Sequence, residues 1–177
     1  ERQVPDAVMC NGAGNYATWL HRFWHYKPNG QVAPISGSMG YGLPAAIAAK
    51  LLWSDKPIIC WAGDGCLQMT IQEMATVVEQ RLKLIILLID NGIYGTIRMH
   101  QERHYPGRVS ATTIENPDFC AIAKGYGWQA HRVDGTQTFG AALKQSLEHT
   151  GPSLIQVILD PEAITPSKTL TEIRASS

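Results

Sequence analysis

Two short stretches of the 177-residue chain are apolar without a break, and each runs into an acid. Residues 57–62 (PIICWA) lead to Gly63-Asp64-Gly65, and residues 84–89 (LIILLI) lead to Asp90-Asn91-Gly92. Unbroken runs of this length predict strands covered on both faces, as in parallel sheets. Elsewhere the spacing turns helical. Residues 43–53 have the Ala/Leu/Ile content of a buried helix, with Pro44 tolerated in the first turn. Residues 67–80 carry Met69, Ile71, Met74, Ala75, Val77 and Val78 and predict one helix. Asn116-Pro117-Asp118 reads as the start of a helix reaching about Tyr126, followed by a strand at 128–133, a helix at 138–149 and a last strand at 153–159. Near the N-terminus a short apolar run, 7–10, ends at Asn11-Gly12-Ala13-Gly14. Residues 15–26 are aromatic-rich and could form a helix, with Trp19, Phe23, Trp24 and Tyr26 packing in the core or lining a subunit interface. Lys27-Pro28-Asn29-Gly30 is a turn. Strand and helix alternate with short connections, which predicts an α/β fold: a three-layer, doubly wound, mainly parallel sheet with helices on both faces.

Composition narrows the class. At 45% apolar and 17% charged residues the chain is globular and long enough for one domain with a proper core. Its formal net charge of zero gives no support to a nucleic-acid or anionic-membrane partner. No apolar run is long enough to span a bilayer, and no signal peptide is visible. Cys10, Cys60, Cys66 and Cys120 form no C-x-x-C pair, and three lie in or beside apolar runs. Reduced, mostly buried thiols in a cytoplasmic protein are expected. Residues 1–6 read as a linker, 7–165 as the domain and 166–177 as a C-terminal tail. The chain begins at Glu1 without an initiator Met, so a piece of a longer protein is expected.

The two acid-bearing ends carry the candidate chemistry. Parallel sheets bind ligands beyond the carboxyl ends of their strands. Asp64 and Asn91 would face one crevice if their strands are close. Gly63 and Gly65 permit a tight turn and a close ligand approach. A helix beginning near Leu67 would point free N–H groups at an anion such as phosphate. An acid beside phosphate needs a cation between them, and a carboxylate, an amide oxygen and phosphate oxygens suit Mg²⁺. A lone G-D-G is a turn in most proteins, so the spacing decides: 24 residues separate Gly65 from Asp90, with a helix and a strand between them.

Three ordered markers then carry a family resemblance. They are Gly63-Asp64-Gly65 with the terminal Asn91, the segment SGSMGYGLPAAIAAK at 36–50, and DNGIYGTIRMHQ at 90–101. The chain resembles the C-terminal diphosphate-binding domain of thiamine-diphosphate enzymes, of the acetolactate synthase-like and benzoylformate decarboxylase-like group. The resemblance implies thiamine diphosphate and Mg²⁺ as cofactors, with Asp64, Asn91 and the main-chain carbonyl of Ile93 as metal ligands. It implies that the backbone N–H groups of Gly65 and Cys66 hold the diphosphate, with Gly63 a further cofactor-binding position and Tyr94, Gly95 and Thr96 adding contacts. Gly37, Ser38 and Met39 become cofactor-binding positions: the Gly37 carbonyl accepts from the 4′-amino group, and the Met39 thioether wedges the cofactor into its bent form. The loop holding Asn11 and Asn15 would lie near the active site.

Departures from the pattern are specific. Cys66 stands where many relatives have Ser, Asp90 where an Asn is usual, and His100 where acetolactate synthases carry Trp. His100 and His104 are expected to be exposed or structural. The resemblance implies decarboxylation of a 2-oxo acid and ligation of the product to a second carbonyl. A benzoylformate- or indolepyruvate-type decarboxylase is the alternative, and a non-catalytic assembly subunit a reading of another class. A nicotinamide or flavin domain is disfavoured because no G-x-G-x-x-G follows the first strand. No catalytic residue is expected in this chain, because the activating Glu belongs to a pyrimidine-binding domain of the same or another chain. A homodimer or homotetramer, a small 2-oxo acid substrate, no nucleic acid and no membrane complete the expected partners.

Overall fold

Six strands join side by side in the order β2-β1-β3-β4-β6-β5, every neighbouring pair parallel. They are β1 (Val8–Asn11), β2 (Gln31–Val32), β3 (Ile58–Gly63), β4 (Ile85–Asp90), β5 (Gln129–Val133) and β6 (Ser153–Ile158). The coordinates are a computed structural model describing residues 3–176. Residues 1 and 2 of the expected linker and residue 177 of the expected tail lie outside the described residues.

Side-chain alternation along the strands makes two cores. Ile58, Cys60, Ala62, Ile86 and Leu88 face one side, where α2 (Gly42–Leu52), α4 (Met74–Glu79) and α6 (Phe119–Gly125) cover them. Met9, Ile59, Ile85, Leu87 and Ile155 face the other, under α1 (Tyr16–Phe23) and α7 (Thr136–Glu148). The expected three-layer arrangement is therefore present, and the unbroken runs at 57–62 and 84–89 have the two-sided burial that made them apolar throughout. Val4, within the expected linker, packs into the second core.

Three local differences have physical causes. The helix expected over 67–80 is broken into α3 (Asp64–Gln68), a 3₁₀ turn (Ile71–Glu73) and α4. The break is at Thr70, whose φ of −140° leaves the helical region and whose hydroxyl donates to the Gly40 carbonyl at 2.8 Å. The helix also starts three residues earlier than expected, at Asp64 itself. α5 (Gly95–His104) was not expected as a helix: its sequence is polar, Glu102 is its one buried residue, and no apolar stripe announces it. Finally, the segment expected as a tail carries α8 (Leu170–Ala175), closed by a Thr169–Glu172 capping box. Ile164, Leu170 and Ile173 pack with Ile93 and Met99, so α8 docks on α5 beside the metal-loop candidate.

Asp118 caps α6 by accepting from the Ala121 N–H at 2.9 Å. Asp118→Ala should lower stability by about 1 kcal/mol, read from chemical denaturation.

Candidate functional site

The crevice follows from strand order. From β1 the chain first adds β2 on one side, then β3 on the other, and the helices after β1 and β3 leave to opposite faces of the sheet. Their first turns diverge and open a gap above the carboxyl ends of the strands. A cleft of about 280 Å³ lies there, lined by the turns after β1 (13–16), β3 (63–66), β4 (91–97) and β6 (159–164). Among the residues expected from the sequence, Gly37, Met39, Gly63, Asp64, Gly65, Cys66, Asn91, Ile93, Tyr94, Gly95 and Thr96 line it. Ser38 does not; its hydroxyl shares a 2.9 Å hydrogen bond with Ser36 in an exposed turn.

Asp64 is buried, 4% exposed, and its carboxylate organises the floor. Oδ1 accepts from the Gly65 N–H at 2.8 Å, and Oδ2 accepts from the Gly92 N–H at 2.9 Å. The second bond links the β3 turn directly to the loop holding Asn91. In that loop the Asn91 amide oxygen accepts from the Ile93 N–H at 3.3 Å. The loop is braced by its neighbours: Gly92 has φ +66°, the Tyr94 N–H donates to the Thr112 carbonyl, and the Ile114 N–H donates to the Gly92 carbonyl at 2.8 Å. Burial, reinforced by Asp90, raises the Asp64 carboxyl above its ordinary pKa, against the lowering effect of Asn116, Gly65 and Gly92. An added cation would relieve that penalty.

Glycine is required where side chains close in. A Cβ on Gly65 would lie 2.7 Å from the Tyr94 ring, and one on Gly63 2.7 Å from the Tyr16 ring. Cys66 turns its thiol to the Gly40 N–H, 3.2 Å away. That contact ties Gly40, next to Met39, to α3. The Gly65 N–H, for its part, is already engaged by Asp64. Met39 is 37% exposed at the cleft wall, an apolar thioether that no core residue covers fully.

Asn15, from the loop flagged in the sequence, ties its own loop to two other parts of the rim. Its N–H donates to Thr96 Oγ1, its Oδ1 accepts from the same hydroxyl at 2.9 Å, and its Nδ2 donates to the Ile164 carbonyl at 3.2 Å. Asn11 is instead buried away from the cleft lining, with Oδ1 accepting from Gln31 at 2.8 Å. The aromatics divide: Trp19 lines the cleft, Trp24 packs in the second core, and Phe23 and Tyr26 are exposed. His100 and His104 stack with ring centroids 6.2 Å apart on the exposed side of α5, outside the cleft lining.

Sequence reasoning missed Asn116 and Gln156. Asn116 was read only as a helix start, yet its Nδ2 donates to Asp64 and to Asp90, and Gln156 Nε2 donates to Asp90, each at 2.7 Å. Gln156 alone carried a signal, as a polar residue inside a buried strand.

A buried carboxylate and an amide side chain lining one cleft at the carboxyl ends of a doubly wound sheet define a ligand-binding α/β domain with oxygen donors of the kind a hard cation takes. Among the described residues no group of three His, Cys, Asp or Glu gathers as a metal cluster. Residues 12–157 match the family described as thiamine pyrophosphate enzyme, C-terminal TPP binding domain, and the chain belongs to that family. It is 39% identical over 164 residues to the acetolactate synthase isozyme 1 large subunit of Escherichia coli (strain K12), covering 89% of this chain and 28% of that protein. It is 35% identical over 167 residues to the acetolactate synthase large subunit of Corynebacterium glutamicum, covering 90% and 27%. Isozyme 2 of Escherichia coli (strain K12) is 32% identical over 163 residues, covering 90% and 30%. The chain thus spans under a third of the length of the curated relatives it matches. Family membership makes thiamine diphosphate with Mg²⁺ the cofactor, and the oxygen-donor set around Asp64 fits that metal.

Proposed function

We propose that this chain is the diphosphate- and Mg²⁺-binding part of an acetolactate synthase-like enzyme that decarboxylates a 2-oxo acid and ligates the product to a second carbonyl. The observation that carries the reading is the 2.9 Å bond from the Gly92 N–H to Asp64, which joins the two motif halves at one cleft. Asp64, the Asn91 amide oxygen and the Ile93 carbonyl would hold Mg²⁺, and the turn at 63–66 would take the diphosphate. When bound, thiamine diphosphate supplies a nucleophilic carbon and an electron sink for loss of CO₂. The chain's own part is to bind and orient. Met39 would form part of the wall against the cofactor, Gly37 would offer its carbonyl, and Trp19, Ile93 and Ile164, which line the cleft, would exclude water from its apolar side.

The activating Glu would come from a pyrimidine-binding domain of the same or another chain. Two observations favour this. The acid in the cleft lining is Asp64, with no Glu among the described lining residues. Near the Met39 turn, Ile35 is wholly exposed, and Tyr41 and Met69 are substantially so, an apolar rim suited to a second domain or subunit in a homo-oligomer. No helix among the described residues is long and apolar enough to cross a membrane. The cytoplasm is the proposed location, on three buried thiols of which Cys10 is pushed up to about 12 by burial and so kept inert.

A product assay on the complete protein with pyruvate, Mg²⁺ and thiamine diphosphate tests the reading. A 2-hydroxy-3-oxo acid is expected. Aldehyde alone would move the assignment to a simple decarboxylase, and turnover by the isolated 177 residues would sink the requirement for a second domain.

A further inference from the structure

Asp64 and Asp90 follow directly after Gly63 and Ile89, which pair in register on neighbouring strands, and both side chains are buried. Two adjacent buried carboxylates repel each other, and a charged partner would be the usual remedy. Here the hydrogen bonds to them come from neutral groups. Asn116 Nδ2 donates to Asp64 Oδ2 and to Asp90 Oδ1, both at 2.7 Å. The other oxygens take the Gly65 N–H at 2.8 Å and Gln156 Nε2 at 2.7 Å. A carboxylate only accepts, so the Asn116 NH₂ must face both acids. Its carbonyl oxygen turns outward and accepts from Gln68 Nε2 at 3.0 Å. One NH₂ group, with just two hydrogens, therefore bridges the pair and uses both.

We propose that Asn116 is a positioning residue for metal loading: it pins the Asp64 carboxylate in the orientation that faces the Asn91 loop, and does so without neutralising it. A Lys or Arg in its place would hold Asp64 equally well but cancel the charge that draws a divalent cation. The neutral bridge adds no positive charge beside the cleft, with Asp90 turned away onto Gln156 and Asp64 turned toward the Gly92 N–H. Fixed partners of this kind around a metal ligand commonly alter metal affinity about 10–100-fold when removed. The inference rests on the reading of Asp64 as a metal ligand.

The test uses the full-length, assembled protein, with MnCl₂ as the probe in the presence of thiamine diphosphate and free Mn²⁺ read by its electron paramagnetic resonance signal. Asn116→Ala should weaken Mn²⁺ binding at least roughly tenfold and broaden the bound-ion spectrum. Asp118→Ala, which loosens the same segment by uncapping α6 but touches neither carboxylate, should bind Mn²⁺ as the unsubstituted protein does. If Asn116→Ala does not fold, Asn116→Ser carries the same comparison. Unchanged affinity in the Asn116 variant, or an equal loss in Asp118→Ala, overturns the positioning role. Asp64→Ala separates the two levels. Should it retain full Mn²⁺ affinity, the metal-ligand reading fails along with the proposal. Should it lose Mn²⁺ while Asn116→Ala keeps it, only the role of Asn116 fails.

Discussion

Replacing Asp64 with Ala should weaken Mg²⁺-dependent binding of thiamine diphosphate by roughly 100-fold or more, beyond the loss typical of residues that merely support a ligand. The expectation rests on position as much as charge. Asp64 and Asp90 are both buried acids at adjacent strand ends, but only Asp64 lines the cleft, while Asp90 is held from behind by Gln156. Asp64→Asn should lose nearly as much as Asp64→Ala. The amide keeps the size of the side chain but not the charge, and in either orientation its NH₂ would meet a donor, the Gly65 N–H on one side or Gly92 and Asn116 on the other. Asp90→Asn should stay within a few-fold of the unsubstituted protein. Calorimetric titration of the three variants in the complete assembly reads the contrast directly. Equal losses at 64 and 90 would mean that general charge, and not ligation, draws the cation, and normal affinity in Asp64→Ala would remove the metal site from this cleft.

That contrast also marks how far the sequence could be read. The apolar runs before Asp64 and Asp90 pointed to strands with two-sided burial, because burial on both faces leaves no other composition for a strand, whereas the strand order appears only in the sheet itself. The glycines on either side of Asp64 and the spacing to Asn91 pointed to one crevice, and those residues do line one cleft. What stayed hidden depends on contacts between segments distant in the chain. Asn116 lies 52 residues from Asp64, and nothing near it distinguishes a bridging amide from a turn residue before Pro117. α5 has too few apolar positions for periodicity to act on, and its helix is held by docking instead: the Arg98 guanidinium reaches the hydroxyls of Thr112 and Thr113, and α8 covers Met99. α8 is a different case. Its Thr169-x-x-Glu172 capping signal was present in the sequence, but six residues with two apolar anchors are too short for pattern alone to separate helix from tail.

The docking of α8 has its own anchor, and breaking it should produce the largest loss of stability. Glu102 on α5 has no exposed side-chain surface, and its two oxygens take a forked pair of bonds from Arg174 on α8, each 2.7 Å, with the Gly107 N–H adding a third at 2.9 Å. The Arg174 bond and then the Gly107 N–H hold the Glu102 carboxyl down to about 2. Arg174→Ala leaves that carboxylate covered and short of its charged partner, so the melting temperature should fall on the order of 5–10 °C. Arg174 is 41% exposed, and water reaching the gap sets the lower end of that range. The sign of the pH dependence follows from the direction of the shift. A carboxyl held below its unfolded value of about 4.3 stabilises the fold above that pH, and the contribution drains away as the pH falls toward 2. The unsubstituted protein should therefore lose melting temperature between about pH 5 and 2 more steeply than Glu102→Gln, which has no charge to lose. Parallel curves for the two proteins would show that the ion pair contributes nothing to the docking of α8, and the Ile164–Leu170–Ile173 contacts alone would then hold it on α5.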